Sequence, residues 1–154
     1  MKKLWLLGLF CVGCSLPTAP YRSVAWSQLS GFACAANSTS IPLPPEVRAL
    51  DDQRVELSGY IVPLDVEAGR IQSFLLVRDQ MLCCFGKMPA LNEWVFVEFP
   101  RGSGLELQVD RPLQVSGRFR AREEREEGVV MSLYRMRAEK VQVLKNTPAG
   151  WKAI

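Results

Sequence analysis

Histidine occurs nowhere in the 154 residues. Its absence excludes a histidine general base, Ser/His and Cys/His nucleophile pairs, and imidazole-ligated zinc. Any metal site must therefore use thiolate, thioether, carboxylate or amide groups. A surplus of one charge is lacking too: 19 Lys and Arg stand against 16 Asp and Glu, a formal net charge of +3. Lys2 and Lys3 belong to a segment expected to be removed, which leaves the rest close to neutral. Such a chain lacks the field that a phosphate backbone calls for, so nucleic acid is not an expected partner. Long apolar runs are short of the mark as well. The run from Leu4 to Gly13 is about half the roughly 20 residues a membrane-spanning helix needs.

That run has a different meaning. Met1-Lys2-Lys3 followed by an apolar centre has the shape of an export signal, here residues 1–13. No Ala-x-Ala cleavage site follows at a normal distance. Val12-Gly13-Cys14-Ser15 resembles a bacterial lipobox instead, with Cys14 as the lipidated first residue, although Cys11 stands where leucine is usual. Acylated Cys14 makes membrane lipid an expected partner and places the protein in the bacterial envelope, facing the periplasm. The alternative is an ordinary secretory signal and a soluble periplasmic protein.

Residues 14–45 are rich in Ser, Ala and Pro and read as a tether or extended arm. Within it Trp26 and Leu29 are expected to lie on the domain, and Pro44-Pro45 to open a short helical turn from Glu46 to Leu50. Residues 46–145 read as strands, and residues 146–154 as a tail in which Trp151 alone is expected to dock. Arg54 to Val62, Ile71 to Val77, Trp94 to Phe99 and Leu113 to Phe119 each alternate or run apolar. Val129 to Tyr134 and Ala138 to Leu144 make one long strand or two short ones. Arg120 to Gly128, mixed in charge, reads as a solvated hairpin tip rather than an ion site.

Gly59 and Gly117 hold equivalent places in Leu57-Ser58-Gly59-Tyr60 and Val115-Ser116-Gly117-Arg118. Glycine inside a strand marks a bulge, a bend or a close backbone approach. The expectation is an all-β fold, a small five- to six-stranded barrel like the oligonucleotide/oligosaccharide-binding (OB) barrel, preceded by the arm; a β-sandwich is the alternative.

The chemistry-bearing stretch is Met81 to Val95, where two adjacent thiols precede a loop containing Gly86 and Pro89. Cys83, Cys84, Phe85, Met88, Asn92 and Trp94 form the candidate ligand or loop site. Three readings of the pair stay open. One thiol can be core while the other pairs with Cys34 on the arm, Cys34–Cys83 being the candidate disulfide. Cys83 and Cys84 can ligate a soft ion, Zn or Cu, if the chain turns there. They can also form a strained, easily reduced vicinal disulfide, because neighbouring Cα atoms lie about 3.8 Å apart, below the usual disulfide separation. Asn92 has the alternative role of capping loop backbone, and Trp94 that of opening a strand.

Leu57-Ser58-Gly59-Tyr60-Ile61-Val62-Pro63-Leu64, Phe74-Leu75-Leu76-Val77 and the stretch from Cys83 to Val95 together resemble domain of unknown function 3299, a family of bacterial exported proteins, many of them lipoproteins. The resemblance covers roughly Trp26 to Leu144. It implies a neighbourhood of envelope metal-transport systems, and so an envelope transporter as partner. Many members carry Cys-Ile-His, then prolines, then Asn. Matching by position puts Cys83 on that cysteine and Asn92 on that asparagine, and Phe85 where the histidine stands. Cys84 is then the candidate replacement thiol.

The reading at this level is an exported, lipid-anchored binding or accessory module, with no catalytic residue assigned, handling a soft metal beside a transport system. The alternative is a thiol–disulfide redox protein using Cys83 and Cys84. The chain offers neither a Cys-x-x-Cys motif nor a thioredoxin-like βαβ pattern.

Overall fold

The computed structural model describes residues 19–35, 38–79, 89–106 and 111–145. Their elements are β1 (Arg22–Ser23), α1 (Trp26–Ser30), α2 (Pro45–Arg48), β2 (Arg54–Glu67), β3 (Arg70–Val77), β4 (Trp94–Glu98), β5 (Leu105–Glu106), β6 (Leu113–Glu126) and β7 (Val129–Val143). The fold is all-β, as its alternating strands imply. One sheet runs in the order β1-β2-β6-β7-β4-β3-β5, and a further β2–β3 pairing makes the arrangement ring-like in part. The two-residue strands β1 and β5 attach to β2 and β3 outside that circuit.

The circuit depends on β2 changing partners. Arg54 to Gly59 pair with β6, and Tyr60 to Glu67 pair with β3. Gly59 stands at the handover. A Cβ there would lie 2.7 Å from the Val77 carbonyl oxygen and 2.8 Å from the Leu76 side chain, so only glycine admits the close approach. Gly117 is the counterpart on β6, where the β6–β7 register shifts between Ser116 and Gly117. A Cβ at Gly117 would meet the Arg137 carbonyl oxygen at 2.1 Å. The extra residue left over on β7 is Glu139, which makes this a β-bulge.

The long strands join through tight turns. Glu127 and Gly128 both carry positive φ, 49° and 84°, the pattern of a two-residue type I′ hairpin. The charged stretch from Arg120 therefore differs from the tip expected: strand β6 continues to Glu126, and only Glu127–Gly128 turn. Its pairing with β7, irregular between Ala121 and Arg125, keeps the strand going, since charged side chains are tolerated on a solvated face.

Inside the ring lie Phe74, Leu76, Val95, Val97, Phe119, Leu133 and Tyr134, all fully buried. The Phe119 and Tyr134 rings stack at 5.6 Å between centroids. The N-terminal stretch joins the same core through Val24, Trp26, Leu29, Ile41, Val47 and Leu50. Val24 and the β1 residues follow β2 in parallel, and the Trp26 indole donates to the Ser58 carbonyl at 2.7 Å. Among the described residues no helix is long and apolar enough to cross a membrane.

Candidate functional site

The sequence places the site between Cys83 and Trp94. Cys83, Cys84, Phe85 and Met88 lie outside the described residues, as do Met81 and the lipidation candidate Cys14. What is described is the frame around them. Strand β3 ends at Val77 and β4 begins at Trp94, and these two residues are direct register partners; Val77 also faces Tyr60 on β2. The strand ends on either side of the segment that carries the thiol pair thus meet in one row, Tyr60–Val77–Trp94.

Re-entry runs through a small reciprocal turn. The Ala90 amide donates to the Glu93 carboxylate and the Glu93 amide donates to the Ala90 carbonyl, both at 2.9 Å. This turn drives Asn92 inward, where it is only 3% exposed. Asn92 Nδ2 donates to the carbonyl of Phe32 at 2.8 Å, tying the end of the loop to the arm. Trp94, half-buried, opens β4.

Cys34 follows Phe32 by two residues, is half-buried, and packs against the core. It has no disulfide partner among the described residues. The phenol of Tyr134 lies fully buried beside this stretch and donates to the Leu29 carbonyl at 2.8 Å. Burial pushes that phenol far up from its ordinary range, and the charge of a Cys34 thiolate adds to the effect. Tyr134 is accordingly a neutral donor, not a base. The structure therefore brings Cys34, Asn92 and Trp94 to the same end of the ring as both flanks of the Cys83–Cys84 segment. Among the described residues no group of three thiols or carboxylates is set to hold a metal ion. Cys34 is the one described residue of the candidate thiol set.

Sequence reasoning missed Phe32 and Tyr134. Tyr134 carried a usable signal, a lone phenol in an apolar strand that must find a buried partner. Phe32 carried none, because its part is played by a backbone carbonyl.

A second polar cluster sits on the outside of the sheet. Glu139 accepts from Arg54 Nη2 at 2.7 Å and from the Tyr21 hydroxyl at 2.8 Å. The Arg54 hydrogen bond, ahead of its charge, holds the Glu139 carboxyl below the usual carboxylate range. The Arg54 guanidinium also stacks 4.1 Å from the Tyr21 ring centre.

A partly closed ring of strands, tied to an N-terminal arm, defines a small all-β module. Residues 28–143 match the family described as protein of unknown function DUF3299, and the chain belongs to that family. It is similar to a solved DUF3299 family protein from Pseudomonas aeruginosa PAO1, with 28% identity and a TM-score of 0.64. That match covers 84% of this chain and all of the other. Among curated proteins none matches the chain.

Proposed function

We propose that the protein is an exported, lipid-anchored binding module of the bacterial envelope. In this reading it presents a soft-metal thiolate site, for Cu(I) or Zn(II), built from Cys34 of the arm and Cys83 or Cys84 of the loop. The observation that carries it is the Asn92–Phe32 hydrogen bond, which fixes the arm two residues from Cys34 to the re-entry turn of the thiol loop. A chain without histidine must bind such an ion through sulfur, and thiolate selects soft ions. Acylation of Cys14 supplies the membrane attachment, and an envelope metal transporter is the partner this placement serves.

Native mass spectrometry of the purified mature protein tests the reading in one measurement. Expected are the mass of acyl chains on Cys14 and a bound ion that is lost in Cys34→Ser and in at least one of Cys83→Ser and Cys84→Ser. A wild-type protein without lipid mass in the soluble periplasmic fraction removes the anchor. Peptide mapping that finds a Cys83–Cys84 bond with Cys34 free removes the metal site and makes thiol–disulfide exchange the function.

A further inference from the structure

Four arginines form a square on the outer face of the β6–β7 hairpin. Arg118 stands opposite Arg137 and Arg120 opposite Arg135 in the antiparallel register, in two successive rows of one face. Like charges directly opposite each other destabilise a sheet, so two adjacent rows of them oppose folding rather than help it. Part of the charge is met from within. Asp52 lies 3.6 Å from Arg118, and Glu124 lies 2.8 Å from Arg135, which also stacks 4.5 Å over the Phe96 ring. Among the described residues, Arg120 and Arg137 have no such partner, although Glu98 lies across from Arg137 on β4.

Two of these arginines, Arg118 and Arg137, edge a concavity. Beyond the Glu98–Arg137 pair, β4 and β7 part company, since Phe99 keeps its hydrogen bond to Gln72 on β3 while Ala138 to Val143 continue along β6. The gap is a cleft of about 650 Å³, with Phe99 and Pro100 on one wall and Arg118, Arg137 and Lys140 on the other. The carboxylate within it, Glu139, is already engaged by Arg54 and Tyr21. The cleft therefore presents to whatever enters Arg137 and Lys140, without ion-pair partners among the described residues, beside an Arg118 shared with Asp52. A cleft of this size takes a small organic molecule, and its walls lower the local dielectric.

We infer that this cleft binds a phosphate group, free or on a small ester or a lipid headgroup. One guanidinium satisfies a flat carboxylate bidentately, whereas three cations from two strands suit anionic oxygens set out tetrahedrally, as on a phosphate. The near-balanced charge of the chain agrees with a single phosphate rather than a polymer of them. This inference is independent of the thiol site, and neither stands or falls with the other.

The full purified chain, in phosphate-free buffer at physiological ionic strength, is titrated by calorimetry with inorganic pyrophosphate and with citrate. In parallel it is sedimented with vesicles of phosphatidylglycerol or of phosphatidylcholine. Arg137→Gln and Lys140→Gln are compared with Arg125→Gln, a change at the far end of β6, and thermal melting checks that each variant folds. Pyrophosphate binding that weakens about tenfold in either cleft variant and not in Arg125→Gln supports a soluble phosphate ligand. Binding confined to phosphatidylglycerol vesicles with the same variant pattern supports a headgroup. No binding to any probe, or binding unchanged in folded Arg137→Gln, overturns the inference. Citrate bound as tightly as pyrophosphate overturns the assignment to phosphate.

Discussion

The arm-covered end of the ring and the outer face of β6–β7 solve the same problem with opposite materials. Where the arm packs, Trp26 and Leu29 are buried, and the few polar groups bond internally: Trp26 to Ser58, Tyr134 to Leu29, Asn92 to Phe32. On the outer face, charge is balanced piecemeal by Asp52, Glu124 and Glu139, and cations remain over. Burial is worth several kcal/mol per large side chain, whereas exposed ion pairs are worth about 1 kcal/mol or less. Stability should therefore sit with the arm, and any preference for a charged ligand with the outer face. That division can be attacked from either side.

The largest effect is expected from Leu29→Ala. The side chain is fully buried in the core shared by arm and ring, so its loss should cost about 2–5 kcal/mol in urea unfolding. A loss below about 1 kcal/mol would mean that the arm is not part of the cooperative unit. Next comes Gly59→Val. The new side chain must displace the Val77 carbonyl or Leu76, which should destabilise by about 1–3 kcal/mol. An unchanged denaturation midpoint would show that the β2 handover tolerates a side chain and that the ring is less tightly closed there.

Asn92→Ala is expected to cost about 1–2 kcal/mol, because the Phe32 carbonyl loses its buried donor. It also sharpens the comparison, since it loosens the arm without touching the core. Alkylation of Cys34 by a small maleimide should accelerate in this variant relative to wild type. Equal rates would show that the Asn92 bond does not govern access to Cys34.

How much of this was legible in the sequence follows from the range of each interaction. Alternation in β2, β4 and β6 is a local pattern, and it foretold the all-β fold and most of the strands. Gly59 and Gly117 were legible as special positions because a strand glycine is anomalous by itself. The Asn92–Phe32 contact was not legible: it joins residues 60 apart through a backbone carbonyl that carries no side-chain signal. The arginine square was hidden for a related reason. Arg118 and Arg137 become neighbours only once the Glu127–Gly128 turn sets the register of β6 against β7, and a one-residue slip would send one of them to the other face. Linear charge counting saw balanced signs and averaged the feature away.

The smallest expected effect concerns Glu139 and runs through pH. Its carboxyl is held below the ordinary carboxylate range chiefly by the hydrogen bond from Arg54, with a further bond from Tyr21 and the charge of Arg118 acting the same way. A depressed folded-state value means that the carboxylate stabilises the fold above the unfolded-state value, about 4.5. That contribution fades as pH falls through the lower folded value. Glu139→Gln should therefore lower the midpoint slightly at pH 7 and leave it nearly unchanged once the pH is below the lowered folded value, where wild type is itself protonated. Moderate salt should shrink the pH 7 difference, because the pair is partly exposed. A difference that persists at low pH would mean that Glu139 holds Arg54 and Tyr21 by geometry rather than by charge. Removing this carboxylate also leaves the cleft beside Arg118, Arg137 and Lys140 more positive, so pyrophosphate should bind more tightly to Glu139→Gln than to wild type. If it binds more weakly, the arginine face depends for its shape on the very ion pairs that limit its charge.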